Sequence, residues 1–464
     1  ARYNQPLYVA VKTRQQVAAA GGEVTVDFYL INEKNVRGNH QLKISVTDSQ
    51  GKVMEVGTYE TEAAGGEVYG QLLVKDVKIP VPTAGGLCRI EAKLCKENSV
   101  VTTGYDDILS VNLASNMLDG KGAVWEDGSA LQNFLKGKTK EAVAAYEDNL
   151  GKLDWIMVAR PPRKDQLTMV PMEALRSADG KPGLDVVYYE DMEFQKEVYH
   201  EVAKVVNLSA IEGATPSPFV YMLDGYGIKW SGKVLPSVSG EYTIIPQSND
   251  RSMIEVFVNG KKIYEITRKK EHLGDGKVYL EGGKSADIEI RFRHPRSNAR
   301  CRLDWAVPND KMPDAQRLME RAVNDGTKIF IIQSADEWSE FIAANSKAVF
   351  KDKFFVGTNW LGGVMFNKPH DIFKELPVGN ALNWPYQALI HTGVERMGLV
   401  MEGEELLVGA YHTYPMAIGT AMGIVPMGKG SVLFSTLDIY GNIINDSAAG
   451  LVAKKLIFNM IDFK

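Results

Sequence analysis

The sequence predicts a multidomain α+β chain in which all-β modules stand before and inside an α/β domain. Three observations carry this. Up to about residue 113, apolar residues recur with period two between Gly, Asn and Asp punctuation. From about residue 118 the period lengthens and strands alternate with helical stretches, the pattern of a mainly parallel sheet. Between about 182 and 308 the period-two alternation returns, so a β-rich segment interrupts the α/β pattern.

Taken in order, "PLYVAVKT", "EVTVDFYLIN", "HQLKISVTD", "QLLVKDVKIPV" and "LCRIEAKLC" read as strands. In the second, Val24, Val26, Phe28 and Leu30 share a face, while Asp27 and Tyr29 point away. Five or more short strands at this spacing suggest an immunoglobulin-like β-sandwich over residues 1–117. "GAVWEDGSALQNFLKG" then reads as strand, turn and helix, and "LDWIMVARPP" as a buried strand. "MPDAQRLMERAVNDGTKIFIIQSADEWSEFIAA" reads as helix, strand, helix, with Ala315, Leu318, Met319 and Ala322 forming the apolar stripe. Residues 118–181 and 309–464 are therefore expected to form one α/β domain, with strand 155–160 beside strand 328–333. A hairpin, "TAMGIVPMGKGSVLFSTLDI", and a last helix, "AAGLVAKKLIFNMI", close that domain. The insert, 182–308, falls at the carboxyl end of a strand, where open α/β sheets place ligands. Within it a polar turn, Ser248-Asn249-Asp250-Arg251, separates two strands, and a second hairpin closes at Asn259-Gly260.

Composition bounds the function. A chain of 464 residues should hold about three domains, at roughly 100–200 residues each. Hydrophobic content of 45% and charge of 24% place it among ordinary globular proteins. A net charge of −5 leaves no electrostatic footprint for nucleic acid. No run approaches the ~18 consecutive apolar residues of a membrane span. The opening "ARYNQPLYVAV" has no Met and no leader pattern, so no signal peptide is expected here, and a fragment or processed product is implied. Three cysteines make no disulfide framework. Cys88 and Cys95 lie seven apart on one strand and point to opposite faces. A reducing compartment and a periplasm fit this equally.

Motifs for chemistry are sparse. There is no G-x-S-x-G or G-x-C-x-G elbow, no H-E-x-x-H and no Cys-x-x-Cys. "GGKS" at 282–285 has Val278 where a phosphate loop needs Gly, and a β-turn accounts for it. Glycoside hydrolysis needs two carboxylates ~5–9.5 Å apart. Glu402, Glu404 and Glu405 cluster, but at an expected hairpin turn in contact with solvent. The barrel that usually carries such a pair needs ~250 residues of repeating βα units, and no stretch here supplies them. In "TNWLGG" and "LNWPYQ", Trp360 or Trp384 could stack on a sugar ring, with Asn359 or Asn383 bonding its hydroxyls. Filling a loop-covered core is the alternative role for both rings.

The insert resembles the protective-antigen-type domain, a β-sandwich appended to many glycosidases, adhesins and toxins. "GLDVVYY" carries the match, followed by Ile228, Trp230, Gly232, Pro236, Gly240, Tyr242, Ser248, Val258 and Gly260, and then by Leu303 and Trp305 in "ARCRLDWAVP". In sugar-binding adhesins of that family two adjacent Asp residues hold calcium, which holds sugar hydroxyls. This chain has Asn249-Asp250 at the matching turn, one carboxylate fewer, so the resemblance implies calcium affinity no tighter than about millimolar at Asp250. No other cofactor is implied.

The flanking pieces are similar to the far C-terminal region of glycoside hydrolase family 2 enzymes of the β-galactosidase type from Bacteroides relatives. "YNQPLYVAVKTRQ" with "VTVDFYLINEKNVRGNHQL" resembles the sandwich after their catalytic barrel. "VGTNWLGGVMFNKPHDIFKELP", "ALNWPYQAL" and "GKGSVLFSTLDI" resemble their terminal domain, which is similar in fold to class I glutamine amidotransferases. The resemblance implies a non-catalytic accessory region with no catalytic residue of its own. The implied partners are carbohydrate, a catalytic domain upstream in the same polypeptide and a possible second copy of the chain, in a periplasmic or cell-surface location. A free-standing carbohydrate-binding or adhesin-like protein is one alternative. An enzyme with an unrecognised site in the amidotransferase-like domain is another. The residues put forward for carbohydrate contact are Asn249, Asp250, Trp230, Asn359, Trp360 and Trp384.

Overall fold

The computed structural model describes residues 5–97, 99–113, 117–162, 167–210, 225–248, 251–295, 299–308, 313–356, 363–382, 384–391, 397–413, 416–444 and 448–463. The chain divides into two compact units. One comprises 1–116, 369–387 and 445–464, and the other 117–368 and 388–444.

The first unit is built on a β-sandwich. Strands Leu7–Thr13, Glu23–Asn32 and Gly70–Pro80 form a three-stranded sheet. Val17–Ala19, Ser99–Val111, Gly86–Lys96, Arg37–Thr47 and Val53–Ala64 form a five-stranded one. Val24, Val26, Phe28 and Leu30 pack in one core with Leu42, Ile44, Val46, Ile90 and Leu94, as the period-two pattern requires. Asp27, on the opposite side of its strand, is also buried. Its carboxylate accepts the Asp76 backbone N–H at 2.8 Å and Arg14 Nη2 at 3.1 Å. Asp76 itself sits at φ +58°, at an irregularity where the two strands slip register. Cys88, Cys95 and Cys301 are all buried and free.

The last helix, Ala448–Asp462, belongs to this unit and not to the α/β sheet expected from its place in the chain. It packs on Val17–Ala19 and Ser99–Val111. Two buried polar side chains fix it there. Asn459 Nδ2 donates to the carbonyls of Ile372 and Lys374, both at 2.9 Å. Lys455 Nζ meets Glu375 Oε2 at 2.6 Å and the Asn112 carbonyl at 3.2 Å. An apolar helix face declares that it needs a partner but not which sheet supplies it.

The second unit joins an α/β sheet to a β-sandwich. Ala144–Ala145, Gly122–Glu126, Trp155–Ala159, Lys328–Ile331 and Gly430–Ser435 run parallel in that order. Trp155 is opposite Lys328 and Val158 opposite Ile331, the adjacency expected from the alternating pattern. Every residue of Trp155–Ala159 is buried, which explains its unbroken apolar run. Beyond Gly430–Ser435 the sheet turns antiparallel through Ala417–Met427. Helix Ala315–Asp325 buries Ala315, Leu318, Met319 and Ala322. Asp314 caps its start by accepting the Gln316 N–H, and Gly326 ends it at φ +79°.

The sandwich pairs a sheet around Gly240–Ser248 and Ala299–Ala306 with one around Tyr226–Val234, Ala286–His294 and Met253–Val258. It begins earlier than residue 182. Thr168–Met169 pairs with Ala299–Ala306, Leu175–Arg176 pairs with Tyr226–Val234, and Val170 and Leu175 lie in its core. The Asn259-Gly260 turn closes a hairpin with Val258 opposite Lys261, both turn residues at positive φ. Gly240–Ser248 lies in one sheet and Met253–Val258 in the other, so these consecutive strands are not hairpin partners and the chain passes from one sheet to the other between them.

Candidate functional site

Two places in the second unit bring polar side chains together. The first is a cleft of about 370 Å³ where the chain passes between the two sheets, lined by Gln247, Ser248, Arg251, Tyr264, Lys270 and His272 among others. Arg251, between strands Gly240–Ser248 and Met253–Val258, takes φ +77°. Tyr264 and His272 stand 2.5 Å apart through the phenol oxygen and Nδ1, and burial raises the Tyr264 pKa. Behind them the buried Ser252 hydroxyl and His294 Nδ1 are 3.1 Å apart. Among the described residues this lining has two side-chain cations and no carboxylate, a composition poor for calcium. No group of three His, Cys, Asp or Glu converges elsewhere among them.

The second place is the carboxyl edge of the parallel sheet, where Glu126, Asp127, Arg160 and Gln333 follow neighbouring strands. Arg160 is paired with Asp127, and Asp127 Oδ2 accepts the Thr168 hydroxyl at 2.5 Å. The Arg160 guanidinium lies 5.6 Å from the Trp125 ring centroid, and the Arg160 carbonyl accepts Trp338 Nε1 at 2.7 Å. Burial pushes the Arg160 pKa down while Asp127 opposes it. Glu126 caps helix Ala130–Leu135, accepting the N–H groups of Leu131 and Gln132 at 3.0 and 2.9 Å, and accepts the Tyr440 hydroxyl at 2.8 Å. Burial raises its pKa, and nearby Glu173 adds to the rise.

Ser334 follows on the next strand end, at φ +54°, between strand Lys328–Ile331 and helix Ala335–Ala344. Sequence reasoning missed this strand–turn–helix serine, since a left-handed backbone leaves no mark without flanking glycines. Among the described residues no histidine or carboxylate is hydrogen-bonded to it, so nothing there activates the hydroxyl. The crevice is instead tied by Asp127 to Thr168, the first strand of the sandwich.

Of the residues put forward for carbohydrate contact, Asn249, Asp250, Asn359 and Trp360 lie outside the described residues. Trp230 is corrected by its position. It is 3% exposed and packs edge-on against Phe292, 6.2 Å between centroids, in the sandwich core. A ring so enclosed has no face for a sugar. Trp384 is half-buried, two residues before Tyr386, whose hydroxyl donates to the Pro377 carbonyl at 2.7 Å. Gly283 takes φ +76° and Lys284 N–H donates to the Glu281 carbonyl at 3.0 Å, so "GGKS" is a turn. Glu402 pairs with Lys351 on the surface, and Glu404 accepts the Thr420 hydroxyl at 2.7 Å.

Residues 180–317 match the PA14 domain family. The chain contains a PA14 domain. A curated relative, the anti-sigma-I factor RsgI3 of Acetivibrio thermocellus, is 28% identical over 127 residues, 27% of this chain and 19% of that protein. The chain thus spans about a fifth of that relative's length. A β-glucosidase from Kluyveromyces marxianus is 13% identical over 49% of this chain and 30% of that one, with a TM-score of 0.33. The A domain of epithelial adhesin 9 from Candida glabrata, solved with Galβ1-4GlcNAc, is 12% identical over 32% of this chain and 90% of that one, TM-score 0.23. Among the described residues the chain is mostly β-strand, and no described helix is long and apolar enough to cross a membrane.

Proposed function

We propose that this chain is a non-catalytic accessory region of a family 2 glycoside hydrolase, with its PA14 domain contacting carbohydrate. The observation that carries the reading is the joint between the two modules. The carboxyl edge of the parallel sheet, the usual ligand position in open α/β folds, is taken up by the Asp127–Arg160–Thr168 cluster that roots the PA14 domain. That leaves the domain's own surfaces, including the first cleft, for ligand. In this reading the catalytic barrel lies upstream in the same polypeptide, the α/β sheet is the amidotransferase-like domain, and the protein works in the periplasm or at the cell surface.

Two assays test it. The intact chain should retain neutral glycans in a binding assay, and it should release no nitrophenol from nitrophenyl glycosides of common sugars. Turnover that survives repurification would overturn the accessory reading. Failure to bind any glycan would overturn the carbohydrate contact.

A further inference from the structure

The outer face of the larger PA14 sheet carries a second hollow, of about 390 Å³, that shares no lining residue with the first cleft. Its floor is Ser231 and Gly232, two adjacent small residues in strand Tyr226–Val234, and the Asn259-Gly260 turn bounds one end. Ser231, Glu289 and Phe257 stand in one cross-strand row, so their side chains share this face. Asp287 and Arg291 flank Glu289 two residues to either side on the central strand, hence also on this face.

The chemistry of the walls narrows the ligand. Phe257 presents a half-buried ring with the Arg291 guanidinium 4.8 Å from its centroid. Arg291 Nε donates to Glu289 Oε1 at 2.6 Å, and Lys229 Nζ sits 3.3 Å from Glu289 Oε2. Glu289 is thereby neutralised and the guanidinium is held still, its terminal nitrogens having no hydrogen-bond partner among the described residues. The Asp287 carboxylate and the Ser231 hydroxyl have no hydrogen-bond partner among the described residues. An anion would face Asp287, and a cation would face Arg291 and Lys229. A neutral ring with hydroxyls that both donate and accept satisfies both, with an apolar face for Phe257. The volume is at the small end for ligand pockets, suited to one or two rings.

We infer that this hollow is a second carbohydrate subsite, for a neutral hexose unit, held by Asp287, Arg291 and Ser231 against Phe257. The inference rests on the carbohydrate-contacting reading of the PA14 domain but assigns a different surface from the first cleft. The test titrates the intact chain with galactose, glucose, mannose, lactose and cellobiose. Calorimetry reads affinity, and hydrogen exchange with saturating sugar reads location. Binding should protect the peptide spanning 286–291. Asp287→Asn and Phe257→Ala should each weaken that site at least about tenfold, ~1.4 kcal/mol. Ser231→Ala, a smaller change, keeps the test open if Phe257→Ala unfolds the domain. Sugar binding with no protection at 286–291 and no response to Asp287→Asn would overturn this subsite and leave the accessory reading standing. No binding by any of the five sugars would overturn both.

Discussion

Asp127→Ala is the most exacting perturbation of the joint between sheet and PA14 domain. The Arg160 side chain is 8% exposed and that of Asp127 13%. Removing the carboxylate leaves a buried guanidinium without its counter-ion and the Thr168 hydroxyl with only the Trp305 carbonyl at 3.5 Å. Breaking a buried pair from one side costs about 3–5 kcal/mol, because the orphaned charge keeps its desolvation penalty. At the low end, about 3 kcal/mol corresponds to a change on the order of a hundredfold in local opening. Hydrogen exchange of the strand amides in 122–126 and 155–159 reads this directly and does not require whole-chain two-state unfolding. The double variant Asp127→Ala/Arg160→Met removes both charges and keeps an unbranched chain beside Trp125, so it should recover most of the loss. A single-variant cost under about 1 kcal/mol, or a double variant as unstable as the sum of the singles, would refute the reasoning. Either result would mean that water already solvates the pair.

Further expectations concern pH, the core and calcium. Asp27 is held below its ordinary 3.8, first by the Asp76 backbone N–H and then by Arg14. Its contribution is present above that value and lost as pH falls through the folded pKa. Asp27→Asn should therefore destabilise the first unit at neutral pH and matter little in strong acid, by thermal melts across pH. Glu126 has the opposite sign. Burial raises it above 4.5, so its contribution is present below that value and lost as pH rises through the folded pKa. Glu126→Gln, which keeps an acceptor for the helix N-terminus, should gain stability relative to wild type on going from pH 4 to pH 7. Trp230→Ala should cost about 3–5 kcal/mol and lower the melting temperature, the signature of a core ring. An unchanged melting temperature with lost sugar binding would restore it as a ligand contact. Calorimetry with calcium on the intact chain should show binding no tighter than about millimolar. Micromolar binding abolished by Asp250→Ala would contradict that.

The period of the apolar residues was enough to place Val24 to Leu30 on one face, to mark the buried face of helix Ala315–Asp325, and to mark Trp155–Ala159 and Lys328–Ile331 as strands. These are local signals, since a strand or helix face buried in a core must be apolar at the period of its own backbone. The Asn259-Gly260 turn was legible for the same reason, as two adjacent positive-φ positions favour those residue types. Which surface each element meets was not legible. The last helix went to the N-terminal sandwich because Asn459 and Lys455 found partners in 372–375, far from it in sequence. Strands Gly240–Ser248 and Met253–Val258 went to different sheets, and the Trp230 ring, a plausible sugar platform as a letter, was sealed against Phe292. The Asp127–Arg160–Thr168 joint and the hollow beside Phe257 assemble side chains from separate strands, and no window of sequence contains them. Periods and the Asn259-Gly260 turn follow from local backbone geometry, which residue types alone express. Pairing, burial and the sites depended on contacts between distant segments, which only the packed chain selects.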